Sequence, residues 1–425
     1  MRIPQDIVQT IVDPKAYAAQ TPLDAAFTRL RREMPLAVAE PEGVDPFWVV
    51  SKHADILEVE RNNDLYHNGD RATVLTSRAN DQRVRAMMGG SPHLVRSLVQ
   101  MDNPDHGNYR RLTQPYFLPQ NIKKLEPRIR EIARSFVDRM EAKGGTCDFA
   151  RDIAFLYPLH VIMEILGVPE VDEPFMLRLT QELFGPADPD VNRNRTTAKT
   201  EEEALAAVMA TVGEFVAYFN KMTKDRREHP RDDVASVIAN GQIAGQPLGE
   251  LEAMSYYIIV ASAGHDTTSN TTAGALWALA EAPEQFARLK KDPAGLMAGF
   301  IEESIRWVTP VKHFMRTAMA DATLRGQAIK KNDWLFLAYP SGNRDEEVFA
   351  DPFSFKVDRT PNKHVAFGYG AHVCLGQHLA RMEMRILWEE LLPRLNHVEL
   401  AGEPKRTEAG FVCGPKSVPI RYAMQ

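Results

Sequence analysis

Cysteine is nearly absent from this 425-residue chain: Cys147, Cys374 and Cys413 are all it has. An odd, low count implies no disulfide framework and points to a reducing compartment, so a cytoplasmic location is expected. Long hydrophobic runs are missing too. The best candidate, residues 254–279, is broken by Ser262, His265, Asp266 and Asn270, whereas a membrane span needs about 18 uninterrupted apolar residues. The first ten residues lack a basic region followed by an apolar core, so neither a signal peptide nor a membrane anchor is expected. Positive charge is not in surplus: 51 Lys and Arg stand against 57 Asp and Glu, a net charge of −6. That balance argues against a general nucleic-acid binder. No repeat, low-complexity tract or Pro/Gly/Ser-rich linker divides the chain. A single domain over residues 1–425 is therefore expected, although length alone suggests about two or three. No Gly-x-Gly-x-x-Gly follows a strand-like segment, so the chain carries no built-in flavin or nicotinamide domain.

What is present is 44% hydrophobic and 25% charged, ordinary for a globular protein. Residues 47–50 read as a strand and 53–61 as a helix. Residues 68–100 read as irregular, 104–116 and 122–142 as helices, and the polar segment 185–197 as a loop or lid between two helical stretches. A long helix is expected over residues 249–281, ending before Pro283. At ~1.5 Å per residue it would span about 50 Å and must cross the core. Short strands follow at 323–325 and 334–337, then a helical run at 377–391. The fold class is mainly α with small β-sheets.

The richest segment is Phe367-Gly368-Tyr369-Gly370-Ala371-His372-Val373-Cys374-Leu375-Gly376. It places one cysteine just before a helix, where free N–H groups and the helix dipole favour a thiolate. A thiolate is an axial ligand for haem iron. Gly368 and Gly370 permit tight turns, Gly376 permits close approach of a flat ligand, and Phe367 would shield the sulfur. A second segment, Ala263-Gly264-His265-Asp266-Thr267-Thr268, puts poor helix formers inside the long helix. Their side chains compete for backbone hydrogen bonds and open a polar groove. Third, Glu303 and Arg306 share one helix face among Ile301, Ile305, Trp307 and Val308, which suggests a partly buried ion pair. Fourth, His106 and Arg110 lie one turn apart, so both can face one ligand, with Arg316 and His372 as further basic groups.

Together these segments resemble the cytochrome P450 family, and the likeness covers most of the chain. Within that family the pattern is closest to the soluble bacterial monooxygenases of monoterpene alcohols such as α-terpineol, through 157–161, 314–318 and 374–380. The resemblance implies haem b held between the long helix and the cysteine loop, with Cys374 as metal ligand. His106, Arg110, Arg316 and His372 would bind the propionates. Asp266 would be the acid and Thr267 the alcohol that deliver protons during oxygen activation, with Gly264 making room. Glu303, Arg306 and Arg359 would lock the scaffold. Lys356 and Gln377 depart from the usual family residues and bear on subfamily. Met87, Met88, Phe184, Ala263 within the 260–267 face, Val311, Phe314, Phe411 and Val412 would surround the substrate, with residues 68–100 and 185–197 as gates. Lys312 is expected at the surface, and His313 is left open.

The implied activity is insertion of one atom of O2 into a C–H bond of a small neutral hydrophobic substrate, a cyclic monoterpenoid or an aromatic hydrocarbon. Electrons would come from a small acidic ferredoxin and an NADH-dependent ferredoxin reductase, with Lys123, Lys124, Arg111 and Arg381 as contacts. A monomer is expected. The alternatives are a peroxygenase, against which the Asp266-Thr267 pair argues, and a haem-thiolate sensor, for which no output segment is visible.

Overall fold

Apolar residues at helical spacing organise most of the chain around the helices that carry the site. The computed structural model describes residues 1–184, 188–190 and 200–424. The helices Leu156–Leu166, Pro293–Val308 and Gln377–Arg394 pack around a central pair, Glu250–Ala263 and Asp266–Glu281, and Glu126–Ala142 packs outside them against Gln377–Arg394 and Leu156–Leu166. Residues 253–258 of that pair are all buried, the signature of a helix apolar on every face.

The helix expected over residues 249–281 is thus two segments, broken at Gly264–His265. The break has a local cause. The His265 N–H reaches only the Ser262 carbonyl, at 3.4 Å, and the Thr267 hydroxyl donates to the Ala263 carbonyl at 3.2 Å. Side-chain competition of this kind was the reason to expect an opened ladder there.

Beside the helices stands a five-stranded sheet, in the order Leu36–Ala39, Phe47–Val50, Trp334–Ala338, His313–Ala318, Tyr66–His67. Trp334–Ala338 is buried at all five positions and takes a central place. Trp334 and Phe336 pack with the N-terminal helices through Phe47 and Phe27, while Leu335 and Leu337 pack with Val50 and Ile56 on the other face. That alternation follows from the period of two along a strand. The sheet delivers His313–Ala318, and with it Phe314 and Arg316, to the site.

Residues 68–100, read as irregular, contain the helix Arg78–Met87. Ser77 caps it by accepting the Asn80 N–H at 3.1 Å. Only Val84 on this helix is buried, so no apolar stripe announces it. Among the described residues no helix is long and apolar enough to cross a membrane.

Candidate active site

The cysteine loop is shaped by its glycines and by one buried glutamate. Gly368 and Gly370 have φ of +66° and +69°, a region open mainly to glycine. A Cβ on Gly370 would stand 2.3 Å from the Glu60 carbonyl oxygen. The Cys374 N–H donates to the Phe367 carbonyl at 2.9 Å, which folds Phe367 back over the loop. Cys374, Phe367, Gly368 and Gly376 all line one large cavity, and a Cβ on Gly376 would meet open space. Burial pushes the Cys374 thiol above its ordinary 9.0, outweighing the Gly376 and Gln377 N–H groups and the charges of Arg110 and Arg381, which pull it down.

Four basic side chains meet on the same cavity. The His106 and His372 rings stack with centroids 3.9 Å apart. The Arg110 Nη2 donates to the Val373 carbonyl at 2.7 Å, and Arg316 Nη2 lies 3.6 Å from Glu60 Oε1. Burial, then Arg316, His106 and Arg110, push His372 down to about 2. Burial and Arg110 push His106 down to about 4, and His106 Nε2 has no partner. Glu60, the acid in reach, is raised to about 7 by burial, against the pull of Arg316 and of the Tyr339 hydroxyl that donates to it at 2.7 Å. Positive charge with an orphaned donor, lining a slot beside a thiol, fits the carboxylates of a flat dianionic ligand. The residues present therefore fit a haem.

Three members of this cluster escaped sequence reasoning. Asn68 donates to His372 Nδ1 at 3.3 Å, which leaves the His372 proton on Nε2. Tyr339 and Glu60 reach the site from 279 residues apart. The one available signal was Glu60 itself, a charge one residue beyond the buried Ile56 and Val59.

Thr267 lines the cavity and Asp266 lies buried behind it. Burial raises Asp266 from 3.8 to about 8 and lowers its neighbour His265 to about 3. Their 3.4 Å approach is therefore a contact of two neutral groups at pH 7, not an ion pair. Asp266 Oδ2 and both His265 ring nitrogens lack partners. Gly264 is the close-packing point: a Cβ there would lie 2.5 Å from Ile162 Cγ1 and 2.6 Å from the Val260 carbonyl. Glu383, also missed, opens on the cavity with both carboxyl oxygens unpartnered, and burial raises it well above its ordinary value.

The substrate-side expectations divide. Ala263, Val311 and Phe314 line the cavity, with Leu98 and Val99 from the 68–100 segment. Phe411 packs behind Phe314 with centroids 5.3 Å apart, and Val412 bridges to Val311; both back the wall without forming it. Met87 and Met88 are not on the cavity. Met87 is 49% exposed, at the C-terminal end of a helix that buries only Val84. Phe184 ends the helix Glu173–Phe184, and its side chain, like residues 185–187 and 191–197 of the second gate, lies outside the described residues. Lys312 is buried, not at the surface, with Nζ donating to the Val308 carbonyl at 2.9 Å. His313 is core: Nδ1 donates to the Gly410 carbonyl and Nε2 accepts the Leu75 N–H.

The scaffold set comes together. Arg306 bonds Glu303 through two parallel contacts of 2.7 and 2.8 Å, and Arg359 Nε donates to the same carboxylate at 2.9 Å. Glu303 and Arg306 are fully buried.

A cysteine at a helix start, a basic cluster and a broken central helix around one slot define a haem-thiolate enzyme. The cytochrome P450 family pattern matches residues 71–421, and the chain belongs to that family; it is an enzyme of the P450 monooxygenase class. It is 47% identical over 420 residues to cytochrome P450-terp of a Pseudomonas species, covering 99% of this chain and 98% of that one. To linalool 8-monooxygenase of Pseudomonas putida it is 32% identical, covering 96% and 97%. The crystal structure of CYP108D1 from Novosphingobium aromaticivorans DSM12444 superposes with a TM-score of 0.91 at 46% identity, covering all of both chains.

Proposed function

We propose that this enzyme hydroxylates a compact neutral hydrocarbon or terpenoid, with haem b ligated by Cys374, within a single domain that acts as a cytoplasmic monomer. Haem, when bound, supplies activation of dioxygen at its iron. The chain supplies the rest. Arg110, Arg316, His106 and His372 would receive the two propionates, whose charge would favour protonation of the two histidines that burial, chiefly, holds neutral. Asp266 keeps its proton at neutral pH and stands one residue from Thr267, which lines the cavity and whose hydroxyl, donating to the Ala263 carbonyl, can still accept and relay a proton. Phe367 and the apolar wall keep water from the reacting centre.

The observation that carries the reading is that Cys374 and Thr267 open on the same cavity, whose substrate side, at Leu98, Val99, Ala263, Val311 and Phe314, is apolar and uncharged. Such a wall suits a cyclic monoterpenoid or an aromatic hydrocarbon. The terpene-acting names of two relatives support that class. Electrons come from a ferredoxin reduced by an NADH-dependent reductase. Lys123 and Lys124 are exposed and are the contacts retained, with Arg111 beside them. Arg381 is engaged by Glu302 at 2.6 Å and is set aside as a contact.

An optical titration of the ferric protein with cyclic terpenoids and small aromatics tests the substrate class; the compound giving the tightest low-spin to high-spin shift names it, and no shift with any of them rejects it. Thr267→Ala is expected to cut product per NADH by about tenfold or more, with peroxide released instead. Unchanged coupling would remove Thr267 from the relay.

A further inference from the structure

Further along the helix Asp266–Glu281, two turns beyond Thr267, lies a second cavity that the oxidation chemistry does not use. Its wall takes Gly274 and Trp277 from that helix, Trp307 from the end of Pro293–Val308, and three cations, Lys312, Arg344 and Arg406. None of the three forms an ion pair with any described residue. The acids nearby are Asp24, half-buried, and Glu281, exposed. Neither lies within ion-pair reach of these cations.

The donors are fixed and unspent. Arg344 spends Nη1 and Nη2 on the carbonyls of Arg306 and Trp307, at 3.2 and 2.9 Å, and lies over the Trp307 ring at 4.5 Å. Its Nε–H is buried with no acceptor. The Trp277 indole N–H is likewise buried and unpartnered, with the Arg406 guanidinium 4.0 Å over its ring. Lys312 gives one hydrogen to the Val308 carbonyl and keeps two. Burial drags Lys312 down to about 8 and Arg344 to about 9. A buried unpaired donor costs about 1–3 kcal/mol, more for a charged one. The space is about 60 Å³, enough for several waters or one small polyatomic anion. Water satisfies the orphaned donors but leaves three cations balanced only at a distance, by Asp24 and Glu281; an anion in the cavity bonds the donors and neutralises the excess charge.

We propose that this cavity is a binding site for a compact oxyanion, of the phosphate or small-carboxylate class, held by Arg344, Arg406, Lys312 and the Trp277 N–H. The site is separate from the cofactor's own basic cluster. Lys312 follows Val311, which lines the substrate cavity, and its N–H donates to the Phe411 carbonyl at 2.8 Å, behind Phe314. An occupant would thus brace the wall against which substrate rests.

The test uses the holoenzyme, whose propionates already fill the other basic cluster. Isothermal calorimetry at pH 6.5 would titrate potassium phosphate and, separately, potassium acetate, with potassium chloride at matched ionic strength as reference. Saturable binding of phosphate or acetate beyond the chloride response is expected, and which of the two binds tighter assigns the class. Arg406→Gln and Trp277→Phe should each weaken that binding, the first by about tenfold, the worth of one charge-assisted hydrogen bond. Trp277→Phe keeps an aromatic ring under Arg406 while removing the N–H, so it reads the site even where Arg406→Gln folds poorly. A response to phosphate and acetate no different from chloride, or one unchanged in both variants, would overturn the proposal.

Discussion

Asp266 has no positive neighbour, and the consequence is a pH dependence with a definite sign. Its carboxyl titrates at about 8 in the folded chain against an ordinary 3.8, burial being the cause. A pKa raised on folding gives stability that is whole below about pH 4 and is lost as pH rises through the folded value. The slope approaches about 1.4 kcal/mol per pH unit inside that window. His265 has the opposite sign: held to about 3, it costs stability as pH falls below its ordinary 6.5. Asp266→Asn removes the first effect and keeps the second. Its stability relative to the parent should therefore grow between pH 5 and pH 8 by a few kcal/mol, and denaturant unfolding at those two pH values checks it. An unchanged difference would mean that the carboxyl is ionised in the folded protein. The residues that sequence reasoning found, Cys374, Asp266 and Thr267, carry chemistry in short contiguous segments. Those it missed, Glu60, Asn68, Tyr339 and Glu383, act by being buried beside something distant, and burial of a single polar residue leaves no pattern along the chain.

Among elements, the helix Pro293–Val308 is fastened to the segment that leads to the cysteine loop through one carboxylate. Glu303 accepts from Arg306, Arg359, Asn362 Nδ2 at 3.1 Å and the Lys356 N–H at 3.0 Å. The Lys356 side chain instead pairs with Asp351, so the departure from the family's usual residue leaves this junction intact. Removing the charge strands two buried guanidinium groups, and Glu303→Gln is expected to cost about 3–5 kcal/mol. Chemical denaturation measures it, and faster haem loss should accompany it. The pairing was legible because an i,i+3 spacing amid apolar residues has one economical outcome. The helix Arg78–Met87 was not, since a polar helix held by a cap shows no periodicity. Family resemblance puts Met87 and Met88 at the substrate, and position in a family pattern does not fix where a side chain on this polar helix points.

At the scale of the molecule, sheet and helix class followed from the apolar periodicity, while contacts between distant segments did not. Electrostatic steering belongs to this scale. The acidic donor proposed above would meet a chain of net charge −6 through a local basic patch, for which Lys123 and Lys124 are the candidates. The double variant Lys123→Glu, Lys124→Glu is expected to slow electron delivery about tenfold or more at low salt, and the gap should narrow as salt screens it. Stopped-flow reduction at two ionic strengths reads both; an equal rate at low salt would move the docking face elsewhere. Finally, the bond from Arg110 to the Val373 carbonyl spans 263 residues and that from Tyr339 to Glu60 spans 279, whereas Glu303 reaches no further than 59. A ribosome releases the chain N-terminus first. His106 and Arg110 are therefore made early and wait for their partners, and the thiol is made long after them. Capture of the proposed prosthetic group is thereby delayed until the cysteine loop is made: a nascent chain stalled before Val373 has neither the sulfur nor the carbonyl that anchors Arg110, and should leave the ribosome colourless.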